Sequence, residues 1–222
     1  MIPPAIIAAS KLKRLDGIGI TDHNSAANVE AVIEAAGGDL IVFGGMEVTT
    51  QEEIHLLALF GDLEKLSAFQ GGVKRSLSGY NDPDRFGEQY IVDHEGYVTG
   101  IAKEFFSSAT ELTIEDVVCM THDLDGIAIA AHIDRESFSI ISQLGFIPES
   151  LPLDGVEFAH VSNVETAGID DRNLPRFASS DAHTVDQIGT AVTQIRCERL
   201  TFEEMKLAIT GAGGRAIKPV WK

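Results

Sequence analysis

Six residues of the types that bind divalent metal ions lie within or beside short apolar runs of this sequence. They are His23, Glu47, His55, His132, Asp181 and His183. Imidazole nitrogens suit zinc, iron or manganese, and a carboxylate such as that of Glu47 can bridge two ions with its two oxygens. Asp181 and His183 are two positions apart, so their side chains point to the same side of an extended segment. The set predicts a multinuclear metal centre without cysteine ligands.

The remaining histidines and one neighbouring aspartate have more than one interpretation. Asp22 could bind a metal directly or orient the imidazole of His23 from behind, and the sequence favours neither role. His94 falls in a predicted turn and His122 late in a predicted helix, which is typical of surface residues. His160 follows a predicted strand, and its role stays open.

The candidate ligands are far apart in the chain, so regular elements must bring them together. Apolar strands are predicted at Gly17–Ile20, Leu40–Gly45, Ile54–Phe60, Ile127–Ala131, Gly155–Phe158 and Arg176–Ser179. Helices are predicted at Pro3–Leu15, from about Ala26 with Asn24 or Ser25 as cap, at Glu115–His122, at Ser137–Leu144, and at Thr201–Ile209 with a Thr201/Glu204 capping box. Strands that alternate with helices indicate parallel β-α units, whose active sites gather at the carboxyl ends of the strands.

Length and composition favour one α/β domain that spans residues 1–222. Hydrophobic residues make up 44% and charged residues 23% of the chain, which is ordinary globular usage and excludes coiled coil and wholesale disorder. An irregular excursion with a hairpin is predicted at about 70–103. Its cations Lys74, Arg75 and Lys103 suggest a lid over the site.

Charge and cysteine content narrow the expected partners and location. The formal net charge of −17 repels a nucleic-acid backbone or an anionic membrane, so neither is expected as a general partner. Bound divalent ions can still attract one phosphate at one spot. Cys119 and Cys197 match no thiolate motif, and the amino terminus lacks a signal peptide, so we expect a cytoplasmic location.

Five segments together resemble the PHP (polymerase and histidinol phosphatase) family, in the family's order. They are Gly19–Ser25 (GITDHNS), Gly45–Val48 (GMEV), His55 with the LLAL that follows, Ala131–Arg135 (AHIDR) and Ser180–His183 (SDAH). The resemblance is greatest to stand-alone bacterial PHP phosphoesterases. It implies a distorted (β/α)7 barrel with up to three metals, which hydrolyses phosphoesters through a metal-bridging hydroxide.

The resemblance also assigns roles to individual residues. It implies that His23 and His183 bind one outer metal, that Glu47 bridges two metals, that His55 and His132 bind the second, and that Asp181 binds the first. Glu47, His132, Asp181 and Arg135 are the expected catalytic residues. The guanidinium of Arg135 could grip a phosphate oxygen or form a surface salt bridge with Asp134 or Glu136.

One family motif is absent from this sequence. PHP proteins open with a strand that carries His-x-His, whereas this chain starts at what resembles the helix after it. We therefore expect a barrel without its first strand, and self-association through an exposed sheet edge. Truncation of a longer protein and degeneracy of the site remain open alternatives.

The leading hypothesis is a metal-dependent phosphoesterase with two to three zinc, manganese or iron ions. Its expected substrate is a small phosphorylated metabolite or a short nucleotide. The alternative is a degenerate domain that binds metal but regulates or scaffolds a partner without catalysis. An amidohydrolase is a third hypothesis, although no bridging lysine can be placed. Gly-x-Ser-x-Gly and Walker A patterns are both missing from the sequence.

Overall fold

The structure, a computed structural model, describes residues 1–159 and 168–221, so His160 lies outside the described residues. The helices are α1 Pro3–Leu12, α2 Val29–Ala36, α3 Leu63–Ser76, α4 Pro83–Phe86, α5 Ile114–Asp123, α6 Ile140–Leu144 and α7 Phe202–Ile209. The strands are β1 Gly17–Ile20, β2 Ile41–Thr49, β3 His55–Phe60, β4 Gln89–Val92, β5 Val98–Ala102, β6 Ile127–Ala130, β7 Gly155–Phe158, β8 Arg176–Ala178, β9 Ala191–Arg196 and β10 Ala216–Trp221.

Six of these strands form one mixed, curled half-barrel sheet in the order β1-β2-β3-β6-β7-β8. The pairs β1/β2, β6/β7 and β7/β8 are parallel, as the alternation of strands and helices predicts. Strand β3 is antiparallel to both of its neighbours, β2 and β6, so the expectation of parallel units throughout is wrong. Only residues 50–54 separate β2 from β3, and that length allows a hairpin but no parallel crossover.

The two faces of the sheet pack against different parts of the chain. Along β3, Leu56, Ala58 and Phe60 are buried in the larger core, where helices α2, α3 and α5 cover the sheet. The intervening Leu57 and Leu59 point to the opposite face, which packs against α7. Helix α3 was not expected from the sequence: residues from Gln70 to Ser76, predicted as irregular, continue this helix.

Two further strands beyond the sequence predictions form the ribbon β9–β10, which is antiparallel. Its residues Ile195 and Ile217 are cross-strand partners and pack with Phe177, Phe202 and Met205. The ribbon therefore covers part of the sheet face that carries Leu57 and Leu59.

The excursion carries the hairpin β4–β5, which lies inside the predicted range of about 70–103. The side chain of Asn28 fixes this hairpin to the start of α2, since its amide donates to the Tyr90 carbonyl and accepts from the Val92 N–H. Strand β1 is the outermost strand of the six-stranded sheet, and self-association through it stays a prediction.

No helix in the described part of the chain is both long enough and apolar enough to cross a membrane. The cytoplasmic location stays a prediction.

We predict that Gly45→Ala destabilises the protein while Gly19→Ala on the neighbouring strand does so much less. A Cβ at Gly45 would lie 2.5 Å from the Ala58 carbonyl oxygen and 2.7 Å from Leu59, whereas a Cβ at Gly19 meets Leu59 only at 3.8 Å. Overpacking of this kind costs about 1–3 kcal/mol of unfolding free energy. Urea denaturation measures both variants, and equal stability of the two would contradict the close packing of β2 against β3.

Candidate metal centre

The carboxylate of Glu47 is the point at which three histidines meet. Its Oε2 lies 3.2 Å from His23 Nδ1, and its Oε1 lies 3.1 Å from His55 Nδ1 and 3.3 Å from His132 Nε2. His55 Nδ1 and His132 Nε2 are themselves 3.1 Å apart. Four of the six candidate ligands thus lie together: three histidines surround the Glu47 side chain, which is 7% exposed.

Electrostatics favour an ionised Glu47 carboxylate and a neutral His23 imidazole. Burial alone would raise the pKa of Glu47, but hydrogen bonds from His132 and His55 and the charges of His55 and His23 outweigh it. They hold this pKa well below its usual value. Burial lowers the pKa of His23 below its ordinary value, and Glu47 offsets this only in part. A neutral imidazole and an ionised carboxylate are the forms that bind metals.

Asp181, His183 and Arg135 form a second group beside the first. The rings of His23 and His183 have centroids 6.2 Å apart, and His183 Nδ1 lies 3.8 Å from Asp181 Oδ1. The guanidinium of Arg135 lies 2.6 Å from Asp181 Oδ2. Arg135 therefore pairs with a candidate ligand. The expected alternative pairing with Asp134 or Glu136 is not among the ion pairs of the described residues.

The parallel pair β1/β2 positions the first histidine. Beyond the end of β1, Glu47 N donates to the Asp22 carbonyl and Asn24 N donates to the Glu47 carbonyl, so His23 and Glu47 form a further bridge of the ladder. The strand register alone therefore places the His23 imidazole next to the carboxylate.

Asn24 holds the site together in a way that the sequence did not predict. It does not cap α2 as predicted. Its backbone is left-handed (φ +48°), its Oδ1 accepts from Thr49 N, and its Nδ2 donates to the carbonyls of Phe106 and Ser108. This buried amide ties the His23 loop to β2 and to the end of the excursion.

Glu157 is a second site residue that was not expected. Its carboxylate on β7 accepts the backbone N–H of His132 at 3.1 Å and the hydroxyl of Ser179. Burial raises the pKa of Glu157 to about 7. His132 has a left-handed backbone (φ +28°), which is rare outside glycine, and the hydrogen bond that its N–H donates to Glu157 helps hold that conformation. A polar residue inside a short apolar strand was the signal available in the sequence.

Asp22 lines a cleft that also contains His23 and Glu47, and no hydrogen bond joins it to His23 among the contacts of the described residues. Asp22 is exposed to solvent within the cleft, but protein surrounds the cleft there. This burial raises the pKa of Asp22 above its ordinary value. His94 and His122 lie elsewhere, paired with Glu34 at 3.4 Å and with Asp154 at 2.9 Å.

The donor set fits a divalent metal. Ligand atoms of His23, Glu47 and His55 all lie within 4.8 Å of one another, and the mixture of nitrogen and carboxylate oxygen suits zinc, manganese or iron. The buried His132 Nδ1 has no hydrogen-bond partner within residues 1–159 and 168–221, so this ring is held through the Nε2 that faces Glu47. The cluster thus supports divalent metal binding without fixing the identity or number of ions.

Comparisons with known proteins bear on the fold that carries this site. A family model described as PHP-associated matches residues 167–210. Endonuclease Q from Pyrococcus furiosus has a similar structure, with a TM-score of 0.69 and 21% identity over 96% of this chain and 52% of that chain. A protein described as a metal-dependent phosphoesterase from Bifidobacterium adolescentis is also similar, with a TM-score of 0.58 and 16% identity over 95% of this chain and 91% of that one. None of the curated proteins matches the chain.

The resemblance to the PHP family is confirmed. At these identities, the structural matches show a PHP-type fold. This chain spans about half the length of the endonuclease Q chains, 52%. The full seven-unit barrel and the absence of a first strand remain predictions.

The expectation of a small phosphorylated substrate and no general nucleic-acid binding is contradicted by a similar structure that holds nucleic acid. A further endonuclease Q structure holds a 27-mer duplex with an abasic lesion at its active site, and it matches with a TM-score of 0.68 and 20% identity over 96% of this chain and 52% of that chain. The physical reason for the error is that a net charge of −17 sums the whole surface, whereas a phosphate responds to the local field near its own site.

We predict that metal-reconstituted protein retains zinc, manganese or iron after desalting, and that Glu47→Gln and His132→Ala each remove it. Removing the shared carboxylate leaves imidazoles without the anion that holds them, and removing His132 deletes a buried donor. His94→Ala and His122→Ala are matched controls that should retain the metal. Elemental analysis decides the outcome, and equal loss of metal from His94→Ala would refute the assignment.

Proposed function

We propose that this protein is a metal-dependent phosphodiesterase that acts on nucleic acid. The observation that carries the proposal is the buried Glu47 carboxylate shared by three histidines at one end of an open cleft. The PHP-type fold, similar to that of endonuclease Q, supports the choice of phosphodiester over other esters.

In this proposal each site residue has a separate task. Glu47, His23, His55 and His132 hold divalent ions, which when bound supply positive charge to phosphoryl oxygens and lower the pKa of water. Asp181 and His183 extend the donor set toward the mouth of the cleft. Glu157 is a positioning residue, since it fixes the backbone of His132.

Arg135 is placed to neutralise the substrate. Its guanidinium contacts Asp181 at 2.6 Å, and its side chain is 35% exposed, so it can reach a phosphate oxygen beside the same centre. The planar guanidinium suits a bidentate hold on two phosphate oxygens.

A non-catalytic, metal-binding domain is the second candidate. The ion pair between Arg135 and Asp181 favours it, because this pairing engages a carboxylate that a full metal cluster needs. The side chain of His183, 62% exposed, is also weakly held.

Hydrolysis of bis(p-nitrophenyl) phosphate by the metal-reconstituted protein separates the two candidates. We predict activity that EDTA abolishes, that excess manganese or zinc restores, and that Glu47→Gln lacks. His94→Ala should match the unmodified protein. Metal retention without diester hydrolysis for any of zinc, manganese or iron would refute the phosphodiesterase and favour the non-catalytic domain.

We further predict that Arg135→Gln lowers kcat/KM for the diester about 10- to 100-fold, the worth of one charge-assisted hydrogen bond. Metal content should be unchanged. Arg85→Gln is the control, because Arg85 is an exposed cation on the excursion. An unaltered kcat/KM in Arg135→Gln would assign Arg135 to a surface salt bridge alone.

A further inference from the structure

One cleft connects the metal centre to the opposite end of the sheet. It has a volume of about 1220 Å³ and runs beside β1, with Asp22, His23, Glu47 and Asp181 among the residues that line it. The amino-terminal end of β1 and the ribbon β9–β10 line it as well. The carboxylates therefore occupy only part of its wall.

Four cations line the same cleft, namely Arg14, Arg196, Arg199 and Lys218. All four are exposed. None forms an ion pair within 4 Å in the part of the chain that the structure describes, whereas seven other lysines and arginines do: Lys11, Lys65, Lys74, Arg135, Arg176, Lys206 and Arg215. Lys13, Arg75, Arg85, Lys103 and Arg172 also lack such an ion pair among the described residues, so the feature that sets the four apart is that they line one cleft.

The register of β9–β10 places two of these charges on one face. Arg196 pairs with Ala216 and Lys218 pairs with Gln194, so Arg196 and Lys218 share a face of the ribbon. Ile195 and Ile217 occupy the other face, which packs against the sheet and also lines the cleft. Arg196 and Lys218 therefore lie at the rim of the cleft, on the ribbon face opposite its apolar lining.

Acidic residues do not cancel these charges. Asp16 and Glu198 line the cleft near the cations. Glu198 is engaged by Arg215 at 2.8 Å, which leaves Asp16 to oppose four positive charges. The cleft is therefore polarised, with carboxylates at the metal centre and cations toward the far end.

The separation of the two ends matches a short stretch of nucleic-acid strand. Ala191, at the start of β9, accepts a hydrogen bond from Ser180 next to the metal centre, and Arg196 ends the strand. Five residue steps at about 3.3 Å span roughly 17 Å. A fully stacked strand rises about 3.4 Å per phosphate, so this length accommodates at most about five phosphates and fewer of an unstacked strand.

Building on the proposed function, we infer that Arg14, Arg196, Arg199 and Lys218 bind the phosphates of a nucleic-acid strand that enters the cleft away from the metal centre. Phe43, which is partly buried against the core, and other apolar side chains line the cleft and offer apolar contacts to unstacked bases. The occupant is a single strand, held by its backbone and independent of sequence.

The test measures binding without catalysis. Fluorescence anisotropy follows a labelled oligodeoxythymidine of roughly 12 nucleotides, a length within the range of single-strand binding sites, in EDTA and at several salt concentrations. The variant Arg196→Gln/Arg199→Gln/Lys218→Gln should weaken binding at least about 10-fold. It should also lower the slope of log K against log salt by about two, as expected for three lost contacts with a single strand.

The matched control is Lys11→Gln/Lys65→Gln/Arg85→Gln. These side chains lie outside the cleft and are not among the cations of the predicted lid, and the triple substitution changes the net charge by the same amount. Urea denaturation confirms that both variants are folded. The control should bind the oligonucleotide as the unmodified protein does.

Two results would overturn the inference: equal weakening by both triple variants, or no oligonucleotide binding by the unmodified protein. Tighter binding of the corresponding duplex than of the single strand would refute the single-strand occupant. These failures are distinct from that of the proposed function, because hydrolysis of the small diester does not depend on the far end of the cleft. Conversely, selective loss of binding in a protein without hydrolysis would support this surface and refute the phosphodiesterase.

Discussion

The buried charge of Glu47 is the constraint on which the site depends. An ionised carboxylate taken from water costs several kcal/mol unless polar partners replace its hydration. Here the partners are His23, His55 and His132, which come from three different strand ends. A neutral imidazole, unlike a lysine or an arginine, can either donate a hydrogen bond to the carboxylate or bind a cation through a lone pair, but a single ring nitrogen cannot do both at once. A metal would complete this compensation, and the fold holds the donors together in advance of it.

Strand register and turn geometry deliver these side chains with little help from the helices. The ladder between β1 and β2 continues past Ile20, which sets His23 against Glu47. The hairpin into β3 brings His55 back to the same end of the sheet, opposite Thr49. His132 needs a left-handed backbone immediately after β6, and Glu157 on the next strand stabilises that conformation. The strained backbone of His132 is thus stabilised by the buried carboxylate of Glu157, which lies on β7, a strand that does not pair with β2.

Much of this arrangement could be predicted from residue types and spacing. Short apolar runs with polar ends placed β1 and β7 at their observed bounds, and they placed His23, Glu47, His55 and His132 at strand ends. The direction of β3 was missed because periodicity reports the faces of a strand but not its direction. Asn24 and Glu157 were missed for a related reason. Their roles depend on partners more than 20 residues away, such as Thr49 and His132, which no local pattern reveals.

The distribution of charge explains why composition misled the assignment of a partner. The 17 excess negative charges lie on a surface that water and salt screen within about 10 Å, so distant carboxylates contribute little inside a cleft. What a phosphate meets there is set by nearby groups that lack partners of opposite sign. At the far end these groups are Arg196, Arg199 and Lys218, and at the near end they are ligands that bound cations would neutralise. An acidic protein can therefore hold an anionic strand, provided that several cations without partners of opposite sign line the same path.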